Sequence, residues 1–498
     1  MASPGVTLYP FVVVSNRLPV DHSIDDDGST QWTRSPGGLV SALEPVMRET
    51  HGAWVGWVGQ PDVEIPPFQV DGMHLFPVAL TQQDYEEYYE GFSNDTLWPL
   101  YHDVIAPPAY HRVWWERYVA VNQRFADAAA AVAAPGATVW VHDYQLQLVP
   151  RMLRETRPDL TIGFFDHIPF PPYGIFAQLP WRTQIVEGLL GADVIGFQRV
   201  ADAGNFSRAV RRLTAHTTKT PAIEVSWPGQ PTRTVIARAF PISVDAAGFE
   251  ELARRADIQA RAKQIRADLG NPRTVMLGVD RLDYTKGIGH RLKAFGELLA
   301  EKRVDVESIT LVQVASPSRE RVEAYVHLRD EIELTVGRIN GDYSTISHTA
   351  ISYHHHGYPR EEMVALYLAA DILLVTALRD GMNLVAKEYV ASRFDEDGVL
   401  VLSEFTGASD ELKRALLVNP HDIDGVKDAI VAAIRMPARE RSARMRAMRK
   451  RVIENDVNRW SSNFLHTLEQ ARAGRYDRIA PQHLPEELEW TVDRRWSN

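Results

Sequence analysis

The sequence contains no cysteine. Disulfides, thiolate-bound metals and a cysteine nucleophile are therefore excluded together. No apolar run approaches the roughly 20 residues needed to cross a bilayer, which argues against a membrane partner. The first ten residues lack a basic stretch followed by a long apolar one, so no secretory signal is expected. A cytoplasmic location fits these absences. Positive charge is not in surplus either: 54 Lys and Arg against 65 Asp and Glu leave a formal net charge of −11. No block of Lys and Arg interleaves with aromatics, which argues against a nucleic-acid partner. The basic run 439–451 reads as a solvated helix face. An acidic chain that handles phosphates must gather its cations locally. Isolated, well-placed Arg and Lys residues are therefore the ones to weigh.

At 498 residues the chain is too long for one ordinary core, and roughly two to four domains are expected. Short apolar runs alternate with longer amphipathic ones. Runs at 11–14, 138–141, 161–165, 193–197, 274–279, 309–314, 371–375 and 399–402 have the continuous apolar character of parallel strands buried on both faces. Helical patterns such as 291–301 and 361–370 lie between them. Strand, loop, helix, strand is the pattern of an open α/β sheet. It occurs as two series, about 8–198 and 273–434, and Pro241 stands where the chain would cross between them. Two Rossmann-like halves facing a central cleft make the GT-B arrangement. The expected division is 1–243, 244–455, and a final segment 456–498 made of a returning helix and a tail.

Open α/β sheets bind ligands at the carboxyl ends of their strands. Polar residues just after each apolar run are thus the candidates. In VVVSNRLPV (12–20) the run ends at Arg17, which can grip a phosphate with two hydrogen bonds or can be a surface arginine. SPGGLVSAL (35–43) puts Gly38 before a helix-like run; it suits close approach by an anion, and equally an ordinary turn. YYEGFSNDTLWP (88–99) offers aromatics that could stack on a sugar or fill a core. VWVHDYQL (139–146) and GFFDHIPFPP (163–172) deliver Asp143 and His167 after neighbouring strands, although a buried, hydrogen-bonded histidine is an alternative there.

GVDRLDYTKGIGHRL (278–292) sets Arg281 and Lys286 between a strand and a helix, a diphosphate site that needs no metal. Its Gly287-x-Gly289 pair has Leu292 where a dinucleotide fingerprint needs glycine or alanine, which excludes a Rossmann dehydrogenase. VASPSRE (314–320) places Arg319 after another strand. In RDGMNLVAKEY (379–389), Asp380 could accept from sugar hydroxyls, the N–H groups near Asn383 and Leu384 could face a phosphate, and Glu388 could take ribose hydroxyls.

Together, in this order and spacing, WVHDYQL, DRLDYTKG and RDGMNLVAKEY resemble the trehalose-6-phosphate synthases, which are retaining GT-B glycosyltransferases. The resemblance covers about residues 8–470. It implies that Arg17 and Arg319 hold the phosphate of glucose 6-phosphate, that Tyr89 and Trp98 contact this acceptor, and that Asp143 binds its hydroxyls. It implies that His167 and Asp380 bind the donor glucose, that Arg281 and Lys286 hold the donor diphosphate with help from Gly38, and that Glu388 binds the ribose. The substrates would be UDP-, ADP- or GDP-glucose and glucose 6-phosphate, with no cofactor and no metal, in a homo-oligomer. Family members often carry an apolar residue where this chain has Asp166. No carboxylate presents itself as a nucleophile of the glycosidase kind, so a front-face substitution at the anomeric carbon is expected. The acidic runs 25–27 and 395–397 read as solvated, and His354–His356 lacks metal-ligand spacing.

Overall fold

A computed structural model describes residues 7–24, 30–34, 40, 43, 46–47, 50–319 and 322–476. Among these residues the chain forms two open sheets and a small hairpin. The first sheet runs, in spatial order, Thr217–Lys219, Ala222–Val225, Arg233–Ala239, Val194–Phe197, Thr161–Phe165, Ala133–His142, Tyr9–Arg17, Ala53–Trp57, Met73–Pro77 and Phe68–Val70. Its interior pairs are parallel, and antiparallel strands close both edges. The second sheet is wholly parallel, in the order Ile351–His354, Ile309–Ser316, Thr274–Arg281, Ile372–Val375, Val399–Ser403 and Leu416–Val418. Every run read as strand coincides with one of these strands, except that Asp193 and Asp371 stand one residue before theirs, because helices cover both faces of each sheet and leave no room for alternation. Ala53–Trp57, Thr161–Phe165 and Val399–Ser403 are buried at every residue.

The chain crosses between the sheets after Ala239. It crosses again at the start of the helix Val457–Arg472, where the Val457 N–H donates to the Val244 carbonyl at 3.1 Å. That last helix packs under the first sheet. Trp140 stacks on Phe464 at 4.4 Å and on Trp460 at 5.2 Å. Gly163 and Gly196 make room for it: a Cβ at either would lie within 3.0 Å of the Phe464 ring. Residues 477–498 lie outside the described set, as do Gly38 and Asp25–Asp27.

One expectation about charged runs needs correction. The helix Ala438–Glu454 is not a uniformly solvated face: Arg449 is buried, donating to the Val390 and Ala391 carbonyls and pairing with Glu250 at 2.6 Å. Residues 395–397 are solvated as expected, with Asp395 and Asp397 exposed, and each is also paired. Asp395 pairs with Arg393, Glu396 with Arg446 and Asp397 with Arg441, so arginines of that helix hold the loop.

Candidate active site

The strand Ala133–His142 ends beside Thr161–Phe165. Asp143 follows with φ 75° and ψ 165°, a conformation close to glycine-only. Its neighbours impose this. The Asp143 N–H donates to the Phe165 carbonyl at 2.8 Å, and its Oδ1 accepts from the N–H groups of Tyr144 (3.0 Å) and His167 (3.3 Å). The carboxylate is thereby fixed at the shared edge of two strands. Burial pushes its pKa up to about 6 despite those two donors and despite Arg281 and Arg319 nearby. His167 Nε2 lies 3.1 Å from His142 Nδ1. Burial lowers His167 to about 3 and His142 well below its ordinary value, so both rings are neutral at pH 7.

The second sheet supplies the cations. Arg281 ends the strand Thr274–Arg281, and Lys286 stands in the turn before the helix Ile288–Ala300. Lys286 Nζ donates to Asp380 Oδ2 at 2.7 Å, and Asn383 Nδ2 donates to the same oxygen at 3.2 Å. Burial would raise the Asp380 carboxyl, but Lys286 holds it low and ionised. Asn383, at φ 76°, caps the helix Leu384–Ser392 by accepting from Ala386 N–H, which leaves earlier N–H groups of that helix for an anion. Glu388, one turn on, accepts from the Tyr367 hydroxyl at 2.7 Å.

The two halves meet here. Arg319, three residues beyond the strand Ile309–Ser316, lies 3.8 Å above the Trp98 ring centre and donates to the Tyr144 hydroxyl at 3.2 Å. Arg281 stands 5.3 Å from the same indole. Gly381 is required by the closeness of the halves, since a Cβ there would sit 2.4 Å from the His167 carbonyl oxygen. Trp98, Asp143 and His167 from the first half thus converge with Arg281, Lys286, Arg319, Asp380 and Asn383 from the second.

Tyr89 and Arg17 lie further along the first half. Tyr89 packs 6.0 Å from the Trp57 ring, and Arg17 lies 5.5 Å over that ring while pairing with Asp21 at 2.8 Å. The segment around Tyr89 serves both core and cleft. Tyr85–Leu97 is a wide helix in which Tyr88, Phe92 and Leu97 are fully buried, and it carries Tyr89 and the following Trp98.

One residue escaped the sequence reasoning. Asp283 is fully buried and holds Arg319 (3.2 Å), the Tyr325 hydroxyl (3.0 Å) and the Thr285 N–H (2.9 Å). Burial would raise its pKa, but Arg319, Arg281 and Lys286 together hold it well below the usual carboxylate range. Its signal was its place inside DRLDYTKG, between the two cations that were singled out.

Residues 9–470 match the family model described as glycosyltransferase family 20. The chain belongs to glycosyltransferase family 20. The trehalose-6-phosphate synthase of Mycolicibacterium gilvum is 58% identical over 468 residues, covering 92% of this chain and 93% of the relative. That of Mycobacterium avium is 58% identical over 469 residues, covering 93% and 95%. Among solved structures, a UDP-forming α,α-trehalose-phosphate synthase of Burkholderia xenovorans, in complex with glucose-6-phosphate, superimposes with TM-score 0.84 at 36% identity over 92% of this chain and 99% of that one. The E. coli protein bound with UDP-2-fluoro glucose gives TM-score 0.84 at 33% identity, covering 95% and 100%. The family 20 fold is GT-B, and its two sheets here are the two halves of that fold.

Proposed function

We propose that this chain transfers glucose from a nucleoside diphosphate glucose to glucose 6-phosphate with retention, yielding α,α-trehalose 6-phosphate. The observation that carries the reading is the meeting of Arg319 with Trp98 and Tyr144 across the cleft, beside Asp143 and Arg281. A small phosphorylated acceptor would bind between Arg17 and Arg319 against Tyr89 and Trp98, with its hydroxyls on Asp143. Relatives named for this product share 58% of their residues with the chain, and a structural relative holds glucose-6-phosphate.

The donor diphosphate would lie against Arg281, Lys286 and the start of the helix Leu384–Ser392, with Asp380 and His167 on the glucose and Glu388 on the ribose. As the bond from the anomeric carbon to the diphosphate oxygen breaks, negative charge grows on that oxygen. The acceptor's anomeric hydroxyl attacks from the same face, and its proton passes to the departing diphosphate. Fixed cations aimed at that charge lower the barrier without reorganising, and the two halves hold the partners in line. The neutral His167 ring donates or accepts hydrogen bonds and carries no charge into the site.

The test is incubation of the purified protein with glucose 6-phosphate and, separately, UDP-, GDP- and ADP-glucose in EDTA. Products are followed by mass spectrometry and by polarity of the new linkage in NMR. A disaccharide monophosphate that is non-reducing after phosphatase treatment is expected, and the three rates rank the donors. Binding of glucose 6-phosphate without transfer from any donor would instead make the chain a sugar-phosphate sensor. Activity lost in EDTA and restored by a divalent cation would overturn the metal-free reading.

A further inference from the structure

Asp166 follows the strand Thr161–Phe165 directly, and its N–H donates to the Gly196 carbonyl at 2.9 Å. The side chain is fully buried, and neither carboxyl oxygen has a hydrogen-bond partner. Four titratable groups face it. Asp143 stands on the neighbouring strand end, Asp202 on the helix Val200–Leu213, Tyr101 on Trp98–Tyr101 and Tyr118 on Arg112–Val132. The two tyrosines aim their protons elsewhere. The Tyr101 hydroxyl donates to Gln147 Oε1 at 2.7 Å, and the Tyr118 hydroxyl to the Tyr144 carbonyl at 2.7 Å. Asp202 is itself fully buried, and burial pushes it up to about 7 although Arg379, 3.6 Å away, and Arg199 favour its charge. Only the Ile168 N–H favours charge on Asp166.

A carboxylate so placed would be a second negative charge beside Asp143, in a poorly polarisable interior with nothing to solvate it. When two such groups cannot both ionise, the one with fewer donors keeps the proton. Asp143 has two N–H donors and two arginines nearby; Asp166 has only the Ile168 N–H and no cation acting on it. We propose that Asp166 is a positioning residue that stands un-ionised behind Asp143 and so leaves Asp143 the negative charge that receives the acceptor hydroxyls. This rests on the acceptor role proposed for Asp143. Burial and the neighbouring acids raise the Asp166 pKa well above its ordinary value, in keeping with that state. Its eventual ionisation at alkaline pH would crowd Asp143 and weaken acceptor binding.

The experiment compares the wild type with Asp166→Asn, the same shape without a titrating group, and with the apolar Asp166→Leu. Infrared difference spectra across a pH titration should show in the wild type a protonated-carboxyl stretch that persists above the range in which Asp143 (about 6) and Asp202 (about 7) ionise, and that is missing from both variants. In the wild type, KM for glucose 6-phosphate should rise on the order of tenfold on the alkaline side, the effect of about one pKa unit of coupling. In Asp166→Asn that rise should vanish while kcat at neutral pH stays within about twofold. Because the folded wild type keeps the Asp166 proton after the unfolded chain has lost it, the melting temperature of Asp166→Asn should gain on the wild type as pH rises above the ordinary carboxyl range, and the gain should level off once the folded carboxyl ionises. Absence of the band with normal transfer, or an unchanged alkaline rise in Asp166→Asn, overturns this proposal alone. A wild type that transfers no glucose while keeping the band overturns the functional reading instead.

Discussion

At the scale of single residues, the site is an exercise in charge placement. Lys286 and Asp380 neutralise one another at 2.7 Å, so an arriving diphosphate must take Lys286 from an existing partner. In the proposed mechanism that keeps the lysine ordered before substrate arrives and directs its charge to the leaving group. Lys286→Ala should cost on the order of 10²-fold or more in kcat, as loss of an oxyanion donor does. Steady-state kinetics checks this, and unchanged turnover would remove Lys286 from the mechanism. With the acceptor role proposed for it, Asp143 should set the acid side of the pH profile. Its carboxyl, raised to about 6 by burial, is charged above that pH and neutral below it. The acceptor kcat/KM should therefore hold at neutral pH and fall below about pH 6, tenfold per unit, with the limb lost in Asp143→Asn. Much of this was legible: Asp143, His167, Arg281 and Lys286 were found because each follows an apolar run. What was not legible is backbone conformation. Asp143, Arg319 and Asn383 all have positive φ, and side-chain identity alone does not announce that neighbours will force it.

At the scale of elements, sequence patterning locates interior strands well and edges poorly. The continuous apolar runs are legible because both faces are covered. The short antiparallel pieces Thr217–Lys219 and Phe68–Val70 are not, because they are half-exposed and only three residues long. The wide helix Tyr85–Leu97 defeats ordinary periodicity, since its winding moves successive aromatics between core and cleft. The helix Val457–Arg472 owes its place to one aromatic stack, in which the Phe464 ring lies 4.4 Å from Trp140 and 5.0 Å from Phe240. Fully burying a phenylalanine stabilises by about 1.5–3 kcal/mol before any cavity is counted. Phe464→Ala leaves Gly163 and Gly196 facing a void, because neither can fill it. It should lose about 3–5 kcal/mol, measured by urea unfolding. A loss under about 1 kcal/mol, the size of an ordinary surface change, would mean the helix is not seated on the sheet in solution.

At the scale of the whole molecule, the question is how two sheets with separate ligands act as one enzyme. Several polar groups join them. Arg199 pairs with Asp410 in a two-bond clamp, Lys387 donates to the Ile242 carbonyl in the crossing segment, and Arg379 reaches Asp103 and Asp202. These bonds hold the halves together but touch neither proposed substrate. Arg319 differs from them. It is anchored in the second half by Asp283, lies on Trp98 of the first, and is proposed to meet the acceptor phosphate. Anything that orders Arg319 from one side thus favours the arrangement the other side needs. Each ligand at 100 times its Kd should stabilise the fold by about 2.7 kcal/mol through binding alone. With this bridge, a nucleoside diphosphate and glucose 6-phosphate together should raise the melting temperature by more than the sum of their separate effects. By reciprocity each should also tighten the other's Kd in calorimetric titration. Arg319→Ala should weaken glucose 6-phosphate binding, leave nucleotide binding nearly intact, and abolish the excess. If the excess survives in Arg319→Ala, coupling runs instead through the Gly381 contact with His167, where the loop that carries Asp380 presses directly on the main chain of the first half.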